Sequence, residues 1–140
     1  MRPQKAYTTV MGVPVRLLIA DDSDIVRRAI YRLLEHESGI TIIGEARNYT
    51  ELLGVLSEST PEVVLMDLRM PDEKQFDADT IKAHLGSSCL LAMSIYADEE
   101  TASLARNYGA LKLLDKSSLG STLIPAIEEC TREKGNAQNA

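Results

Sequence analysis

Residues 15–24 read VRLLIADDSD, a short apolar run that leads directly into three acidic residues and a serine. The apolar part is nearly continuous instead of alternating, which is typical of a strand buried on both faces of a parallel sheet. A helical pattern follows, with apolar and charged residues on opposite faces. The apolar face carries Val26, Ile30, Leu33 and Leu34, and the face that we expect to meet solvent carries Arg27, Arg28, Arg32 and Glu35.

The same alternation of strand and helix recurs along the chain. Further strand-like runs occur at Ile40–Ala46, residues 62–66, Cys89–Ser94 and residues 111–114. Five successive strand–helix units predict an α/β fold with one parallel sheet, helices on both faces and right-handed crossovers.

Several boundary signals place the helices. We expect the second helix to be capped by Asn48 or Thr50, both good capping residues. The third is predicted at Ala78–Leu85 and the fourth at residues 98–108, where Gly109 stops it.

The last helix contains a proline, which constrains where it begins. Pro125 is tolerated only in about the first turn, so we expect a start near Ser121. Its apolar side includes Leu123 and Ile127, which we expect in the core in preference to an interface.

Composition indicates one domain and limits its function. With 140 residues, of which 44% are hydrophobic, the chain can bury a core. We assign residues 14–131 to that domain, with tails at residues 1–13 and 132–140.

Fifteen basic residues against 21 acidic residues give a net charge of −6, which argues against direct nucleic-acid binding. An aromatic content of 4% without Trp argues against a base-stacking surface.

The cysteines and the absence of long apolar runs bear on location. Cys89 and Cys130 are too few for a disulfide framework, so we expect both to be reduced thiols. No apolar run approaches the roughly 20 residues of a membrane span. We therefore expect a cytoplasmic protein that does not enter membranes.

Charged and hydroxyl residues stand where the predicted strands end. Asp21 and Asp22 follow the first strand, Asp67 follows the third, Ser94 ends the fourth and Lys116 follows the fifth. Ligands of open parallel sheets bind beyond this edge, near the point where strand order reverses. Each residue alone has an ordinary structural explanation, such as an acid at a helix start or a solvated lysine. Together they predict one shared pocket.

Such a set of side chains suits phosphoryl chemistry. Clustered carboxylates repel one another and need a cation, and Mg²⁺ prefers oxygen ligands. A carboxylate can also attack phosphorus to form an aspartyl phosphate. Phosphoryl transfer depends mainly on positioning and charge neutralisation, which Lys116 and Ser94 could provide to the phosphoryl oxygens.

The four runs LLIADDS, VVLMDLRMP, LLAMSIY and LLDKSS occur in this order and resemble the receiver domain of two-component response regulators. The resemblance covers roughly residues 15–130. It implies a doubly wound, flavodoxin-like and CheY-like fold whose five parallel strands lie in the order 2-1-3-4-5. It also implies a phosphorylation-dependent switch, which is not a turnover enzyme, and whose partner is a sensor histidine kinase or phosphotransfer protein.

The resemblance assigns a role to each candidate residue. Asp67 is the implied phospho-acceptor, Lys116 pairs with the phosphoryl group and Ser94 is the switch hydroxyl that turns toward it. The implied Mg²⁺ site comprises Asp21, Asp22, Asp67 and the backbone carbonyl of Arg69. The implied output surface is the fourth strand and helix with the fifth strand and helix, and a homodimer could form through the fourth helix, the fifth strand and the fifth helix. DNA binding would require an effector domain beyond this one.

The chain departs from the family pattern at four positions. Gln75 stands where the family often has Gly, and Ser117 replaces Pro after the lysine, so we expect a trans bond there. Leu113 replaces an aromatic switch residue, which leaves Tyr96 as a candidate for the readout. Ile95 is bulkier than the usual residue and should hinder an attacking water, so we expect a long-lived aspartyl phosphate.

Three alternatives remain open at this point. A receiver-shaped interaction domain that is never phosphorylated would explain the departures from the pattern. A haloacid-dehalogenase-type phosphatase needs a second acid two residues after its nucleophile, where this chain has Arg69. A flavodoxin-type or Rossmann-type nucleotide binder needs a glycine-rich turn after the first strand, where this chain reads DDSDI.

Overall fold

The five apolar runs form one parallel sheet in the computed structural model, which describes the backbone of residues 9–10 and 13–139 and the side chains of residues 13–132. The strands are β1 (Val13–Ala20), β2 (Ile40–Ala46), β3 (Val63–Asp67), β4 (Cys89–Ser94) and β5 (Lys112–Asp115). Strand β1 pairs with β2 and β3, β4 pairs with β3, and β5 pairs with β4, all in parallel. This order, 2-1-3-4-5, confirms the predicted topology. Strands β3 and β5 begin and end one residue later than expected.

A short extension precedes the sheet. Residues Thr9–Val10 pair antiparallel with the first two residues of β1. Val13, the last residue of the tail expected at residues 1–13, is the first residue of β1, and residues 1–8 and 11–12 lie outside the described residues.

Helices cover both faces of the sheet. They are α1 (Asp24–Leu34), α2 (Tyr49–Glu58), α3 (Ala78–Leu85), α4 (Glu99–Asn107) and α5 (Leu119–Asn139). Helices α1 and α5 pack on one face, and α2, α3 and α4 pack on the other. Because successive strand side chains point to opposite faces, Leu17 of β1 lies in one apolar cluster and Leu18 in the other. Within the described part of the chain, no helix combines the length and apolar character needed to cross a bilayer.

The helix boundaries follow local caps. The side chain of Asn48 accepts a hydrogen bond from the Glu51 N–H at 2.8 Å, so Asn48 is the cap of α2. Asp98 caps α4 in the same way through the Thr101 N–H at 2.8 Å. Gly109, just after α4, has φ of +82°, a conformation that favours glycine, and this confirms the predicted stop.

Helix α5 begins earlier than expected. A 3₁₀ turn at Lys116–Ser118 leads directly into α5 at Leu119, so the expected start near Ser121 is wrong. Asp115 initiates the turn by accepting a backbone hydrogen bond within it at 2.9 Å. Pro125 consequently lies inside the helix, where it has no N–H to offer the carbonyl four residues earlier.

The far part of α5 also differs from expectation. Its backbone is helical to Asn139, through most of the residues 132–140 that we expected as a tail. Leu123 and Ile127 are fully buried, which confirms their placement in the core.

The expectation of two reduced cysteines is wrong. Cys89 and Cys130 form a disulfide, with Cα atoms 5.8 Å apart. Although 41 positions separate them along the chain, α5 packs over the sheet and brings Cys130 against the first residue of β4. The disulfide thus joins β4 to α5 at the amino end of that strand, away from the carboxyl edge.

Candidate functional site

The carboxyl ends of β1, β3 and β5 converge on one charged cluster. Asp21 and Asp22 follow β1, Asp67 is the last residue of β3, and Lys116 follows β5. The ammonium nitrogen of Lys116 lies 2.7 Å from Asp21 Oδ2 and 3.1 Å from Asp67 Oδ2. The structure therefore brings together side chains from three separate strands.

Three carboxylates in this cluster could share a cation. Asp21, Asp22 and Asp67 each offer an oxygen that lies within 4.8 Å of the other two. Asp21 and Asp67 are buried, whereas Asp22 is exposed. Mg²⁺ takes oxygen ligands and usually keeps several waters, so a donor set with one exposed side fits this ion.

Neighbouring groups fix the orientation of the Asp67 carboxylate. Its Oδ1 accepts a hydrogen bond from the Arg69 N–H at 3.0 Å, while Oδ2 faces Lys116. The buried Tyr49 hydroxyl donates to the Leu68 carbonyl at 3.3 Å and so supports the backbone that follows β3. Each oxygen of Asp67 thus has a defined partner. The role of the Arg69 carbonyl as a metal ligand stays a prediction.

Burial and charge act in opposite directions on the two central groups. Burial raises the pKa of the Asp67 carboxyl, and the nearby Asp21 charge adds to this rise, despite the opposing hydrogen bond from Arg69 and the Lys116 charge. Burial alone would lower the pKa of Lys116, but its hydrogen bond to Asp21 and the Asp67 charge outweigh burial and raise that pKa. Lys116 is therefore held as a cation between two carboxylates.

Ser94 occupies the end of the neighbouring strand. It is buried, and its Oγ accepts a hydrogen bond from the Tyr96 N–H at 2.9 Å. Asp67 pairs in register with Met93, the residue before Ser94, and the Leu68 N–H donates to the Met93 carbonyl at 3.1 Å. The serine therefore lies one strand away from the carboxylate that it is predicted to serve.

The comparisons with known proteins agree with this geometry. The family model for the response regulator receiver domain matches residues 17–128. The chain belongs to the response regulator receiver domain family. As a receiver domain, it is a component of two-component signal transduction.

Among the relatives of this receiver domain, the transcriptional regulatory protein PdtaR of Mycobacterium tuberculosis (strain ATCC 25618 / H37Rv) is 33% identical over 117 residues. That match covers 84% of this chain and 57% of PdtaR. The transcriptional regulatory protein LnrK of Bacillus subtilis (strain 168) is 31% identical over 114 residues, which cover 81% of this chain and 52% of LnrK. The receiver domain thus spans about half the length of the curated relatives that it matches.

A solved structure of a LuxR-family two-component response regulator from Aurantimonas sp. SI85-9A1 also resembles this receiver domain. The TM-score is 0.75 at 28% identity, and the match covers 86% of each chain. The non-phosphorylated receiver domain of the stress response regulator RcsB from Escherichia coli gives a TM-score of 0.75 at 25% identity, covering 87% of this chain and 95% of that one.

The departures of this receiver domain from the family pattern have local structural consequences. Gln75 ends a 3₁₀ turn at Glu73–Gln75. The preceding Asp72 accepts hydrogen bonds from the Tyr49 N–H at 2.8 Å and the Thr50 N–H at 3.0 Å, which ties the loop after β3 to the start of α2.

Two other departures lie on or next to β5. Leu113 is partly buried and packs into the apolar cluster that lies under α4. The Lys116–Ser117 bond is trans, as predicted.

Sequence reasoning missed Arg27, which it placed on the exposed face of α1. Arg27 is only 7% exposed, whereas Leu33, expected in the core, is 36% exposed. The Arg27 guanidinium donates to the Asp21 carbonyl at 2.5 Å and to Glu45 Oε1 at 2.6 Å. Helical periodicity gave no signal for this burial, because the partners Asp21 and Glu45 lie outside α1.

Proposed function

We propose that this receiver domain is a phosphorylation-dependent switch in which Asp67 accepts a phosphoryl group, with Mg²⁺, from the phosphohistidine of a sensor histidine kinase or phosphotransfer protein. One observation carries the proposal: Lys116 lies between Asp21 and Asp67, at 2.7 and 3.1 Å, inside a cluster of three carboxylates. An ordinary structural salt bridge needs one carboxylate, whereas a site for a cation and a phosphoryl group needs this excess of oxygen ligands beside a lysine.

The transfer step uses the oriented carboxylate. An oxygen of Asp67 forms a bond to phosphorus as the nitrogen–phosphorus bond of phosphohistidine breaks, and the electron pair remains on the imidazole nitrogen. The Arg69 N–H, which donates to Asp67 Oδ1 at 3.0 Å, holds the carboxylate in a fixed orientation for attack. Mg²⁺, when bound by Asp21, Asp22, Asp67 and the Arg69 carbonyl, supplies positive charge for the phosphoryl oxygens.

Two residues hold the product. Lys116 pairs as a point charge with one phosphoryl oxygen, because phosphorylation removes the Asp67 carboxylate charge that it now faces. Ser94 turns its hydroxyl from the Tyr96 N–H toward another phosphoryl oxygen. That rotation would release Tyr96, which is 53% exposed, and so change the surface of the β4–α4 connection.

The test is phosphorylation by acetyl phosphate, measured as intact mass. With Mg²⁺ we expect a mass increase of one phosphoryl group, which EDTA and Asp67→Asn each abolish. Asp98→Asn is the matched control, since it makes the same substitution at a helix cap where asparagine also caps well.

The alternatives predict different results in the same experiment. An interaction domain that is never phosphorylated would gain no mass from acetyl phosphate or from a phosphorylated kinase. A phosphatase would release inorganic phosphate steadily from many substrates, without a stable adduct. Either result would refute the switch.

The kinase partner has a candidate docking surface beside the site. An apolar groove of about 550 Å³ lies between α1 and the start of α5. Its lining includes the apolar residues Ile25, Val26, Leu33 and Leu119, together with Arg28, Arg32, Lys116 and Ser117. Ile25 is 78% exposed, a high value for an apolar side chain. Since Lys116 belongs to both the groove and the acidic cluster, a helix bound in this groove would present its phosphohistidine to Asp67.

The output of the switch is proposed from the relatives. PdtaR and LnrK are named as transcriptional regulatory proteins and are about twice as long as the matched region. We place this receiver domain in a transcription regulator whose effector domain binds DNA, with the β4–α4–β5–α5 surface as the output and homodimer face. Analytical ultracentrifugation with and without acetyl phosphate tests the dimer. A purely monomeric phosphorylated protein would contradict it.

A further inference from the structure

Arg27 is a charged side chain placed almost wholly inside the protein. Its side chain is 8% exposed, on the face of α1 that meets the carboxyl ends of β1 and β2. The guanidinium contacts three groups: the Asp21 carbonyl, the Asp24 carboxylate and the Glu45 carboxylate. A buried guanidinium with this many partners is fixed in place, because every lost partner would leave a charge or a donor unsatisfied.

The contact to Asp21 reaches the backbone of the acidic pair. The Asp21 carbonyl belongs to the peptide unit that also contains the Asp22 nitrogen, so holding this oxygen holds the plane between the two residues. On its other side, the Asp21 N–H donates to the Ala46 carbonyl of β2 at 2.9 Å. The Asp21 Oδ1 atom accepts from the Ser23 N–H at 2.8 Å. Arg27 therefore completes a set of bonds that fixes the Asp21 backbone and the Asp21 carboxylate, and with them the peptide plane that leads into Asp22.

Glu45 fixes Arg27 in turn. Its Oε1 accepts from Arg27 Nε at 2.6 Å, and its Oε2 accepts from the Tyr31 hydroxyl at 3.1 Å. The carboxyl end of β2 thus holds both backbone groups of Asp21. The Asp21 N–H bonds directly to the Ala46 carbonyl, and the Asp21 carbonyl bonds to Arg27, which Glu45 fixes.

We propose that Arg27 is a positioning residue for the Mg²⁺ site: it sets the geometry of Asp21 and Asp22 through the Asp21 carbonyl, and Glu45 holds it there. This inference rests on the proposed function, because it concerns the same cluster of carboxylates. The bond from Arg27 to Asp21 is made to the backbone carbonyl and not to the carboxylate, so Arg27 acts on the site through the Asp21 backbone.

The test measures Mg²⁺ affinity without any phosphoryl donor, by calorimetric titration of the full chain with MgCl₂. Loss of an outer partner that orients a metal ligand typically weakens metal binding by about tenfold to a hundredfold. We expect a loss of about tenfold in Arg27→Gln and a smaller loss in Arg27→Lys, which keeps the charge but not the fork of donors. Phosphorylation of Arg27→Gln by acetyl phosphate should be slow at low Mg²⁺ and recover at saturating Mg²⁺.

Arg28→Gln is the matched control, since it removes the same charge from an exposed position one residue along α1. Its Mg²⁺ affinity should stay within about twofold of the original. If Arg27→Gln fails to fold, Glu45→Gln serves as the second variant, because glutamine keeps an acceptor oxygen for Arg27 and should weaken Mg²⁺ binding severalfold.

Two further results would overturn the inference. Unchanged Mg²⁺ affinity in a folded Arg27→Gln, with only a lower unfolding temperature in EDTA, would make Arg27 purely structural. An equal loss in Arg28→Gln would show that charge alone matters. Absence of Mg²⁺ binding by the unsubstituted protein would instead refute the proposed function, so the two failures are distinguishable.

Discussion

The ammonium nitrogen of Lys116 lies 3.1 Å from Asp67 Oδ2, so the carboxylate that is proposed to accept the phosphoryl group already faces a fixed cation. Removing this cation makes the cluster more negative but leaves no partner for a phosphoryl oxygen. We therefore expect Lys116→Met to bind Mg²⁺ more tightly, by about threefold to tenfold at a partly buried site. The same variant should accumulate much less phosphorylated protein from acetyl phosphate.

The matched control for Lys116→Met is Lys112→Met. Lys112 is the first residue of β5, the strand that Lys116 follows, and it pairs with Glu129 at 2.8 Å, away from the cluster. Calorimetry and intact mass should show neither effect in this control. Unchanged or weaker Mg²⁺ binding in Lys116→Met would contradict the electrostatic account.

The raised pKa of Asp67 predicts a specific dependence of stability on pH. Because burial raises this pKa above the ordinary value of 3.8, the folded state prefers the protonated carboxyl. The contribution of Asp67 to folding stability is fully present below that ordinary value and is lost as pH rises through the raised value. At neutral pH without Mg²⁺, Asp67→Asn should therefore melt at a higher temperature than the original protein.

Thermal melts across pH in EDTA check this second prediction. The advantage of Asp67→Asn should shrink as pH falls toward 3.8, where the original carboxyl is itself protonated. A melting-temperature difference that stays constant with pH would show that titration of Asp67 is not its cause.

If the groove between α1 and α5 docks the kinase, a substitution there should affect the rate of phosphorylation by the kinase but not the rate with acetyl phosphate. We expect Ile25→Ser to slow transfer from a phosphorylated kinase by about tenfold, since an exposed apolar anchor would be lost. Phosphorylation by acetyl phosphate should be unaffected, because this small donor needs no docking surface. The control is Val13→Ser. Val13 is apolar and 56% exposed, but it lies at the amino end of β1, away from the site, so its substitution should change neither rate.

Ile95 predicts the lifetime of the phosphorylated state. It follows Ser94, is 68% exposed and is bulkier than the residue usual at this position in the family. Ile95→Ala should open the approach for water and speed loss of the phosphoryl group severalfold. Radiolabel decay after removal of the donor measures this rate, and an unchanged rate would exclude shielding by Ile95.

The Cys89–Cys130 bond predicts a dependence of stability on redox conditions. A crosslink that closes a loop of about 41 residues stabilises the folded state by about 2–4 kcal/mol in the chain-entropy account. A non-thiol reductant should therefore lower the free energy of unfolding of the original protein. It should leave the Cys89→Ala/Cys130→Ala double variant unchanged, and denaturant titration of both proteins makes the comparison.

The sequence predicted the topology well because two signals agreed. Continuous apolar runs marked the strands, and polar residues at their ends marked one edge, so the sequence alone placed Asp21, Asp67 and Lys116 together. Local capping chemistry limited the cap of α2 to Asn48 or Thr50, of which the structure has Asn48, and the predicted limits of α3 are confirmed.

Two of the failures involved contacts between residues that are distant in the chain. Helical periodicity treats arginine as a surface residue, and it cannot show that Glu45 of β2 contacts Arg27. The Cys89–Cys130 bond depends on how α5 crosses the sheet, which no local pattern encodes. The early start of α5 was missed because the prediction used Pro125 alone, whereas Asp115 caps a 3₁₀ turn that leads directly into the helix.

The hydrogen bonds of Asp72 fix the loop after β3 on the side of the site that faces α2, which distinguishes it from the β4–α4 connection on the other side. Toward α2, the Asp72 carboxylate holds the loop in place by accepting hydrogen bonds from the Tyr49 and Thr50 N–H groups. Toward α4, the Tyr96 N–H donates to the Oγ of Ser94, the hydroxyl proposed to move. A conformational change that starts at Asp67 should therefore move the β4–α4 connection and leave the α2 side in place.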